Sequence, residues 1–520
     1  MKKVNLDALI QREDFEVKES TISGKKKETI SIEDLKHNSF FFTTVRKPDF
    51  QRETNEWDAK KISEFIESFV NGDLIPAVIL WRSNSGLVFV IDGSHRVSSL
   101  SAWINDDYGD AKISREFYES IIPEEQIKIA QQTRRLVNKN VGSFSEYELA
   151  KNNPHKVKPE IARRARDLGS LAIQLQWVEG DANKAESSFF KINRQAAPIN
   201  DTEIILLESR RKPNCVAARA ILRSGKGHKY WSDFTEEKQN EIQALAKEVN
   251  NILFEPDFKS PIKTLDLPIA GKNYSAQTLS LILDFVNISN NIPKDFKEKL
   301  ADDIDGDETI KFLKRCKQVA WRINSTYPSS LGLHPIIYFY SKGGNYRIAS
   351  FLAVVSWILK MEKNKSFNKF IDVRKEFEEG IFKYQHLIQQ IIRHYRISDR
   401  YREPIVDFFE SLIDLLSQDN GFEDSIKEII KKPDFKFLKI DNSEFEDDNE
   451  ITSSKFSSSR KSAVFINDEV ETAPRCKICE GFRHVNSITI DHVERKEDGG
   501  LGSDDNGQIA HPYCNSTYKN

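Results

Sequence analysis

The stretch "LVFVIDGSHRVSSLSAW", residues 87–103, places an apolar run directly before a helix-like pattern. The two meet at Asp92-Gly93-Ser94-His95-Arg96, which predicts a strand that turns sharply into a helix. A glycine lets the backbone turn close to a ligand, and a helix start offers free N–H groups to an anion. An arginine can clamp phosphate through two hydrogen bonds, and an aspartate can hold a metal or a ribose hydroxyl. The corner therefore suits a nucleotide phosphate, although an ordinary Asp-Gly turn beside a surface histidine and arginine has the same sequence.

Composition limits the classes of protein that this chain can belong to. Its 520 residues predict about two to four domains. The N-terminus lacks the apolar segment of a signal peptide, and the longest apolar run, "IASFLAVVSWIL", is too short to span a bilayer. We therefore expect a soluble, cytoplasmic protein that does not bind membranes. The net charge of −3 means that nucleic acid, if bound, must be bound by local patches.

The order of patterns predicts a multidomain α+β chain. Residues 1–233 are predicted to form an α/β domain, in which "IPAVILW" and "LVFVI" are strands and "DAKKISEFIESFVNG" is an amphipathic helix that ends at its glycine. Residues 234–440 show mostly helical periodicity. Residues 441–461 are acidic and then serine-rich, which predicts a flexible linker. A small domain follows at residues 462–520.

Cysteine spacing points to a metal centre near the C-terminus. Cys476-x-x-Cys479 and His511-x-x-Cys514 form two short-spaced pairs, whereas Cys215 and Cys316 stand alone. Two such pairs can close a tetrahedral structural zinc site. In so small a domain the zinc replaces a missing hydrophobic core.

Between these pairs, "ITIDHV" predicts a strand that carries Asp491 and His492 on opposite faces. Together with Asn506 and Asn515, the region resembles the HNH, or ββα-metal, nucleases. The resemblance implies that His492 is the general base that activates water. It implies that Asp491 and Asn515 hold a catalytic Mg²⁺ or Mn²⁺ ion, and that Asn506 braces the loop that positions His492.

One ligand departs from that family's usual pattern. His511 stands where many members have cysteine, and histidine binds zinc equally well. An Asp-His pair by itself is also compatible with a capped turn or a surface pair, but the surrounding zinc pattern favours the nuclease. Residues 462–520 carry six Lys/Arg and ten Asp/Glu, a net charge of −4. We expect this domain to cut DNA without holding it unaided.

Three elements of the first domain resemble known motifs. "DGSHR" resembles the DGQHR-type motif of the ParB/sulfiredoxin-like superfamily. "KPDFQRETNEW" and "FFKINRQAAPINDTE" resemble elements of the N-terminal domain of GmrSD-type modification-dependent restriction enzymes. The resemblance implies a ParB-like fold, binding or hydrolysis of a nucleoside triphosphate, and a role in phage defence. The nucleotide-binding positions that it carries over are Gln51, Arg52, Asp92, Gly93, His95 and Arg96.

Some positions in this first domain leave alternatives open. Ser94 replaces the glutamine of the motif, so the nucleotide preference stays undetermined. It also replaces the reactive cysteine of sulfiredoxins, which disfavours a thiol reductase. Asn193 is either functional or a turn residue, and Glu203 is better explained as the start of a helix.

We predict a nucleotide-sensing HNH DNA endonuclease of a bacterial restriction or anti-phage system. The alternatives are a ParB-like DNA-binding or regulatory protein with a weak or silent nuclease, and a nucleotide-dependent phosphotransferase. Two basic clusters, "SRRKPNCVAARAILRSGKGHKYW" and "RHYRISDRYR", are candidate DNA contacts, although a solvated helix face is the favoured explanation of either cluster alone. The helical region is a candidate interface between copies of the chain.

Overall fold

The computed structural model describes residues 3–13, 25–48, 51, 54–118, 122, 124–196, 205–206, 208–225, 231–273, 278–293, 296–395, 402–441 and 456–519. These form two compact units, which are Met1–Arg210 with Lys226–Tyr230, and Arg211–Gly225 with Trp231–Asn520. The structure is mixed α/β, as predicted. Within the described residues, no helix is both long and apolar enough to cross a membrane.

The first unit is built on a mixed six-stranded sheet within the described part of the chain. Its strands are β1 (Arg12–Glu13), β2 (Thr29–Ser31), β3 (Val45–Pro48), β4 (Val78–Arg82), β5 (Val88–Asp92) and β6 (Ala172–Val178). The spatial order is β1-β3-β5-β4-β6-β2. β4 and β5 pair antiparallel, whereas β3 runs parallel to β5 and β6 runs parallel to β4. The two strands predicted from "IPAVILW" and "LVFVI" are therefore confirmed.

Helices cover this sheet and bury its apolar side chains. They are α1 (Ala59–Asn71), α2 (Ser94–Ile104), α3 (Lys112–Phe117), α4 (Glu124–Asn140), α5 (Phe144–Asn152), α6 (Pro159–Asp167) and α7 (Ala182–Ala196). The predicted amphipathic helix is confirmed as α1. The carboxylate of Asp58 caps its N-terminus by accepting from Lys61 N at 2.9 Å. Gly72, at φ 76°, ends it in the left-handed conformation.

A buried ionic network ties the N-terminal segment to β3. The Asp7 carboxylate contacts the guanidinium of Arg12 and lies 2.7 Å from Lys47 Nζ, and none of the three side chains is more than 1% exposed. Lys47 also donates to Thr54 Oγ1 at 2.9 Å. Arg12 donates to the Gln51 carbonyl at 3.3 Å. The network therefore holds the segment that carries Gln51.

The second unit is mostly helical, as predicted for residues 234–440. Its helices are α8 (Pro213–Leu222), α9 (Glu236–Phe254), α10 (Thr278–Ser289), α11 (Phe296–Lys299), α12 (Asp307–Ile323), α13 (Pro335–Tyr338), α14 (Ile348–Asn364), α15 (Phe367–Lys383), α16 (Gln385–His394), α17 (Arg402–Leu416), α18 (Phe422–Ile430) and α19 (Ser458–Thr472). The antiparallel strands β7 (Thr489–His492) and β8 (Gly507–Ala510) follow, and a short helical segment at Cys514–Tyr518 ends the described chain.

Two features of this unit differ from the predicted domain boundaries. Helix α8 lies before residue 234, yet it packs against α9, α10 and α12. Its residues from Pro213 to Ile221 are buried. Most of the predicted linker, 442–455, lies outside the described residues, and residues 458–461 already belong to α19. Ser462 Oγ accepts from Ile262 N at 3.0 Å, which attaches α19 to the helical region. The C-terminal residues thus belong to the helical unit.

The network around Asp7 gives a stability prediction. Asp7→Ala leaves two buried cations without their carboxylate and should lower the free energy of unfolding by about 3–5 kcal/mol. Asp58→Ala, which removes only a helix cap, should cost about 1 kcal/mol. Urea unfolding of the full chain measures both, and hydrogen exchange in β3 peptides assigns the transition to the first unit. Equal effects of the two substitutions would show that the network contributes little.

Candidate functional site

The four predicted zinc ligands come together in the structure. The ligand atoms of Cys476, Cys479, His511 and Cys514 all lie within 4.8 Å of one another, and all four residues are buried. Cys476 Sγ accepts from the backbone N–H groups of Ile478 and His511, both at 3.4 Å. These contacts bring the two short-spaced ligand pairs together around a single point. Three thiols and one imidazole nitrogen are a donor set that fits structural zinc.

The orientation of His511 is fixed by its second ring nitrogen. Nε2 lies 3.0 Å from the carbonyl oxygen of Phe482, so this nitrogen is assigned as the N–H that donates. Nδ1 then faces the thiols, 3.4 Å from Cys479 Sγ. Backbone carbonyls commonly orient metal-binding histidines in this way.

Charges in the cluster are strongly coupled. Hydrogen bonds from Cys479 and Cys514 lower the pKa of the Cys476 thiol well below its usual range. Hydrogen bonds to Cys476 and Cys479, together with burial, raise the pKa of Cys514. Binding of zinc by these residues would require the cysteines as thiolates.

A buried ion pair on α15 holds the zinc cluster against the helices. Arg374 and Glu378 are fully buried, with Arg374 Nε 2.8 Å from Glu378 Oε1. The guanidinium reaches the carbonyls of Leu331 and Gly332 at 2.5 and 3.0 Å, and its Nη1 lies 3.1 Å from His511 Nδ1. Burial would lower the pKa of Arg374, but the Glu378 carboxylate and the cysteine thiols raise it, so the group stays charged.

The Glu378 carboxylate connects this ion pair to the turn between Cys479 and Phe482. Glu378 Oε2 accepts from Phe482 N at 2.7 Å, and Oε1 accepts from Tyr338 Oη at 3.0 Å. Gly332, at φ 60°, passes so close to the cluster that a Cβ there would lie 2.5 Å from His511 Cδ2. Ser330 and Ser487 add a hydroxyl–hydroxyl contact of 2.9 Å. The Cys/His cluster is therefore built jointly by the helical region and the C-terminal segment.

Strand β7 carries the predicted catalytic pair. Asp491 is buried, and its Oδ2 accepts from Gln508 Nε2 at 2.8 Å and from Lys519 Nζ at 2.7 Å. His492 is half-buried and pairs across the hairpin with Gly507, which has no side chain to cover it. The pleat of the strand directs the two neighbouring side chains to opposite faces.

Two asparagines connect to this strand and its following loop. Asn506 Oδ1 accepts from Glu494 N at 2.7 Å, and Asn506 Nδ2 donates to the carbonyls of Glu494 and Leu501 at 3.1 and 2.8 Å. Its side chain therefore spans the loop that follows His492. Asn515 Nδ2 donates to Thr489 Oγ1 at 3.2 Å and to the Ile490 carbonyl at 3.1 Å, which places this amide beside β7.

Sequence reasoning missed two residues of this site. Gln508 and Lys519 both bind the Asp491 carboxylate, and Lys519 also contacts the carbonyl of His492. The pairing of β7 with β8 could have revealed Gln508, because it lies opposite Asp491. Lys519 had no comparable signal beyond being a cation close to Asn515.

The N-terminal corner has the predicted strand-to-helix form. Gly93 joins β5 to α2 at φ 98°, where a Cβ would lie 2.9 Å from Arg96 Nη2 and from Val78 Cγ2. Arg96 Nη2 lies 2.7 Å from Asp92 Oδ2 and donates to the Ala77 carbonyl at 3.1 Å. Its Nε is buried without a hydrogen-bond partner in the described structure. No side chain caps the start of α2.

The other predicted nucleotide-site residues have different surroundings. His95 Nε2 accepts from Glu56 N at 3.2 Å, and its ring stacks on Trp57 with centroids 5.5 Å apart. Gln51 is buried, and its Oε1 has no hydrogen-bond partner in the described structure. Arg52 lies outside the described residues.

The weaker candidates and the basic clusters are only partly described. Asn193 falls within α7 rather than in a turn, and Glu203 lies outside the described residues. In the first cluster, Arg210 lies 2.7 Å from Glu186, and Arg219 is buried. These two cations are thus engaged in the fold. Residues 226–230 of the first cluster and 396–401 of the second lie outside the described residues.

The structure therefore contains an α/β sheet unit and a helical unit that carries a Cys/His cluster whose donor atoms fit a structural metal ion. Residues 32–208 match the family model described as GmrSD restriction endonuclease, N-terminal domain. Residues 476–520 match the family model described as HNH endonuclease. The chain thus combines a GmrSD-type N-terminal domain with a C-terminal HNH endonuclease domain, which confirms the resemblance found in the sequence. No curated protein and no solved structure matches it.

The Arg374–Glu378 pair gives a test of how the zinc site is held. Arg374→Met leaves the Glu378 carboxylate buried without its cation, so we expect a loss of about 3–5 kcal/mol and increased hydrogen exchange in residues 476–482. Lys375→Met is the matched control. Lys375 is half-exposed and pairs with Glu480 at the surface, so its loss should cost less than about 1 kcal/mol. Urea unfolding and zinc content measure the effects, and similar results for both variants would contradict the assignment.

Proposed function

We propose that the chain is a metal-dependent HNH DNA endonuclease of a bacterial restriction or anti-phage system, controlled by a nucleoside triphosphate. The observation that carries the proposal is the β7–β8 hairpin held by the Cys/His cluster, with Asp491 and His492 on its first strand. Residues 462–520 cut DNA in this proposal, residues 234–440 hold the nuclease, and residues 1–233 bind the nucleotide. Cutting invading DNA requires the protein to act in the cytoplasm.

In this mechanism each polar residue of the hairpin has one task. His492 accepts the proton of the attacking water at an imidazole nitrogen, and Asn506 fixes the loop behind it. The oxygens of Asp491 and Asn515 are hard donors that suit Mg²⁺ or Mn²⁺. A divalent ion held there would stabilise the negative charge that develops on the scissile phosphate. Zinc at the cysteine cluster has only a structural task.

The nucleotide-binding part of the proposal rests on the corner at Asp92–Arg96. The uncapped start of α2 and the buried Arg96 Nε both offer donors to an anion. Binding of a phosphate by Arg96 requires it to share or exchange its contact with Asp92. Gln51, Arg52, Gly93 and His95 complete the proposed site, within a domain that we infer to have the ParB-like fold.

His492→Ala tests the nuclease. The variant should lose at least about a hundredfold in plasmid-nicking rate, because no general base remains to take the water proton. It should keep its zinc, since His492 is not among the clustered ligands. His155→Ala, which removes an exposed histidine of the first unit, is the control and should cut like the parent. Undiminished nicking by His492→Ala would exclude this residue as the base.

Arg96→Ala tests the nucleotide site and its link to cutting. Loss of charge-assisted hydrogen bonds to phosphate should weaken ATP or GTP binding by about 10- to 100-fold. Cleavage of target DNA by the intact protein should also change, whereas Arg163→Ala, at an exposed arginine of the same unit, should alter neither. Calorimetry and a cleavage assay give the two readouts. Lost binding with the same cutting rate and selectivity would mean that the corner does not control the nuclease.

A further inference from the structure

We propose that the stacked rings of Trp321 and Tyr327 form a platform that binds an unpaired base of the DNA. This inference rests on the proposed function, because it names a feature of the substrate that the helical region recognises beside the nuclease. Trp321 lies in the last turn of α12, and Tyr327 lies in the loop that follows. Their ring centroids are 4.1 Å apart, and their planes differ by 11°. Both residues belong to the helical region rather than to the C-terminal segment that carries the hairpin.

The outer face of Tyr327 is accessible to a ligand. Trp321 covers one face of its ring, yet 47% of Tyr327 remains exposed. A single exposed aromatic side chain is ordinary at a protein surface. This one is backed by a second ring, and Lys317 Nζ, which also lies 3.4 Å from Glu248, is 4.6 Å from the centroid of that second ring. Parallel rings with a cation beside them suit the stacking of a nucleobase.

Hydrogen bonds fix the loop that carries Tyr327. Tyr327 N donates to Ser325 Oγ at 3.1 Å, and the Tyr327 carbonyl accepts from Ser330 N at 2.8 Å. Ser330 Oγ in turn accepts from Ser325 N at 2.9 Å. Arg322 Nη1 donates to the Ser329 carbonyl at 3.0 Å. The two rings are therefore held in place before a ligand arrives, and little conformational entropy is lost when a base stacks on them.

The platform lies close to the proposed catalytic metal site. Ser516 Oγ donates to the Pro328 carbonyl at 2.7 Å. Pro328 directly follows Tyr327, and Ser516 directly follows Asn515, the proposed metal ligand. Because consecutive Cα atoms are about 3.8 Å apart, the Cα atoms of Tyr327 and Asn515 are separated by at most about 15 Å. Stacked nucleotides rise about 3.4 Å each along a strand, so a base within about four nucleotides of the scissile phosphate can reach the platform.

The geometry of DNA decides which bases can occupy the platform. Both faces of a paired base are covered by its neighbours in the duplex, whereas a base that has left the stack offers a free face to an aromatic ring. Stacking also requires no excess of positive charge, which suits a neighbouring segment, residues 462–520, whose net charge is −4. The occupant that fits the rings, the cation and the nearby metal site together is therefore an unpaired nucleobase.

The test compares paired DNA with unpaired DNA. The full-length protein is titrated, without added divalent ions, with a duplex and with the same duplex carrying an extra, unpaired 2-aminopurine. Anisotropy of an end label gives the Kd, and 2-aminopurine emission reports stacking. Tyr327→Phe keeps the ring, whereas Tyr327→Leu still covers Trp321 but has no ring. Phe456→Leu is the matched control, because Phe456 is a 66% exposed aromatic residue of the same unit.

Each variant has its own expected signature. The parent and Tyr327→Phe should bind the DNA with the unpaired base about five- to thirtyfold more tightly than the paired duplex, and should quench 2-aminopurine, because the base stacks on the ring. Tyr327→Leu should lose both the preference and the quenching, while its Kd for the paired duplex and its zinc content stay those of the parent. Phe456→Leu should behave like the parent.

Other results would overturn the inference. A Tyr327→Leu variant that still prefers and quenches the unpaired base would show that the rings do not bind it. Loss of zinc by this variant would assign Tyr327 a structural task, and a change of its mass in solution would assign the rings to a contact between copies of the chain.

A parallel nicking assay with Mg²⁺ separates this inference from the proposed function. A parent that captures the unpaired base but never nicks DNA would refute the nuclease and leave the platform standing. A parent that nicks DNA without preferring or quenching the unpaired base would refute the platform and leave the nuclease standing. A parent that binds neither DNA would refute both.

Discussion

The buried pair of Arg374 and Glu378 is the constraint on which the nuclease region depends. Removing two charges from water is costly, and the cost is offset only when every donor and acceptor finds a partner. Here the partners come from α15 itself, the loop at residues 331–332, the turn between Cys479 and Phe482, and also include Tyr338 and His511. A displacement of any one segment would remove a hydrogen-bond partner from this buried pair. The pair therefore selects one arrangement of the zinc cluster on the helices.

This arrangement changes how control of cutting has to be understood. An acidic, serine-rich stretch before residue 462 suggests a nuclease on a tether, yet the contacts of α19, Ser330 and Arg374 attach residues 458–519 to the helical region. In the proposed function, a nucleotide signal that regulates cutting would then act on the helical unit as a whole. Such control fits a change in the population of conformations better than release of a mobile domain.

Local patterns in the sequence were sufficient to predict part of the structure. The spacing of the four metal ligands identified them together, because each pair is closed by contacts within a few residues. The helix that begins after Asp58 and ends at Gly72 was predictable from its cap residues for the same reason. Arg374 could not be predicted as part of the zinc site, since it lies 137 residues from His511 in the sequence. The placement of α8 likewise depends on helices that follow it in the chain.

His511 is constrained both by the spacing of the local ligand motif and by contacts with residues that are distant in the sequence. In the sequence it is an acceptable replacement for the cysteine that many HNH nucleases have at this position. In the structure its ring reaches from the cysteine thiols to the carbonyl of Phe482, and its Nδ1 approaches Arg374. A cysteine at this position could bind zinc, but it could not reach from the metal to the Phe482 carbonyl. Phe482 N also binds Glu378, so this bridge links the ligand set to the buried ion pair. The histidine therefore connects the Cys/His cluster to α15 through contacts that a cysteine at this position could not make.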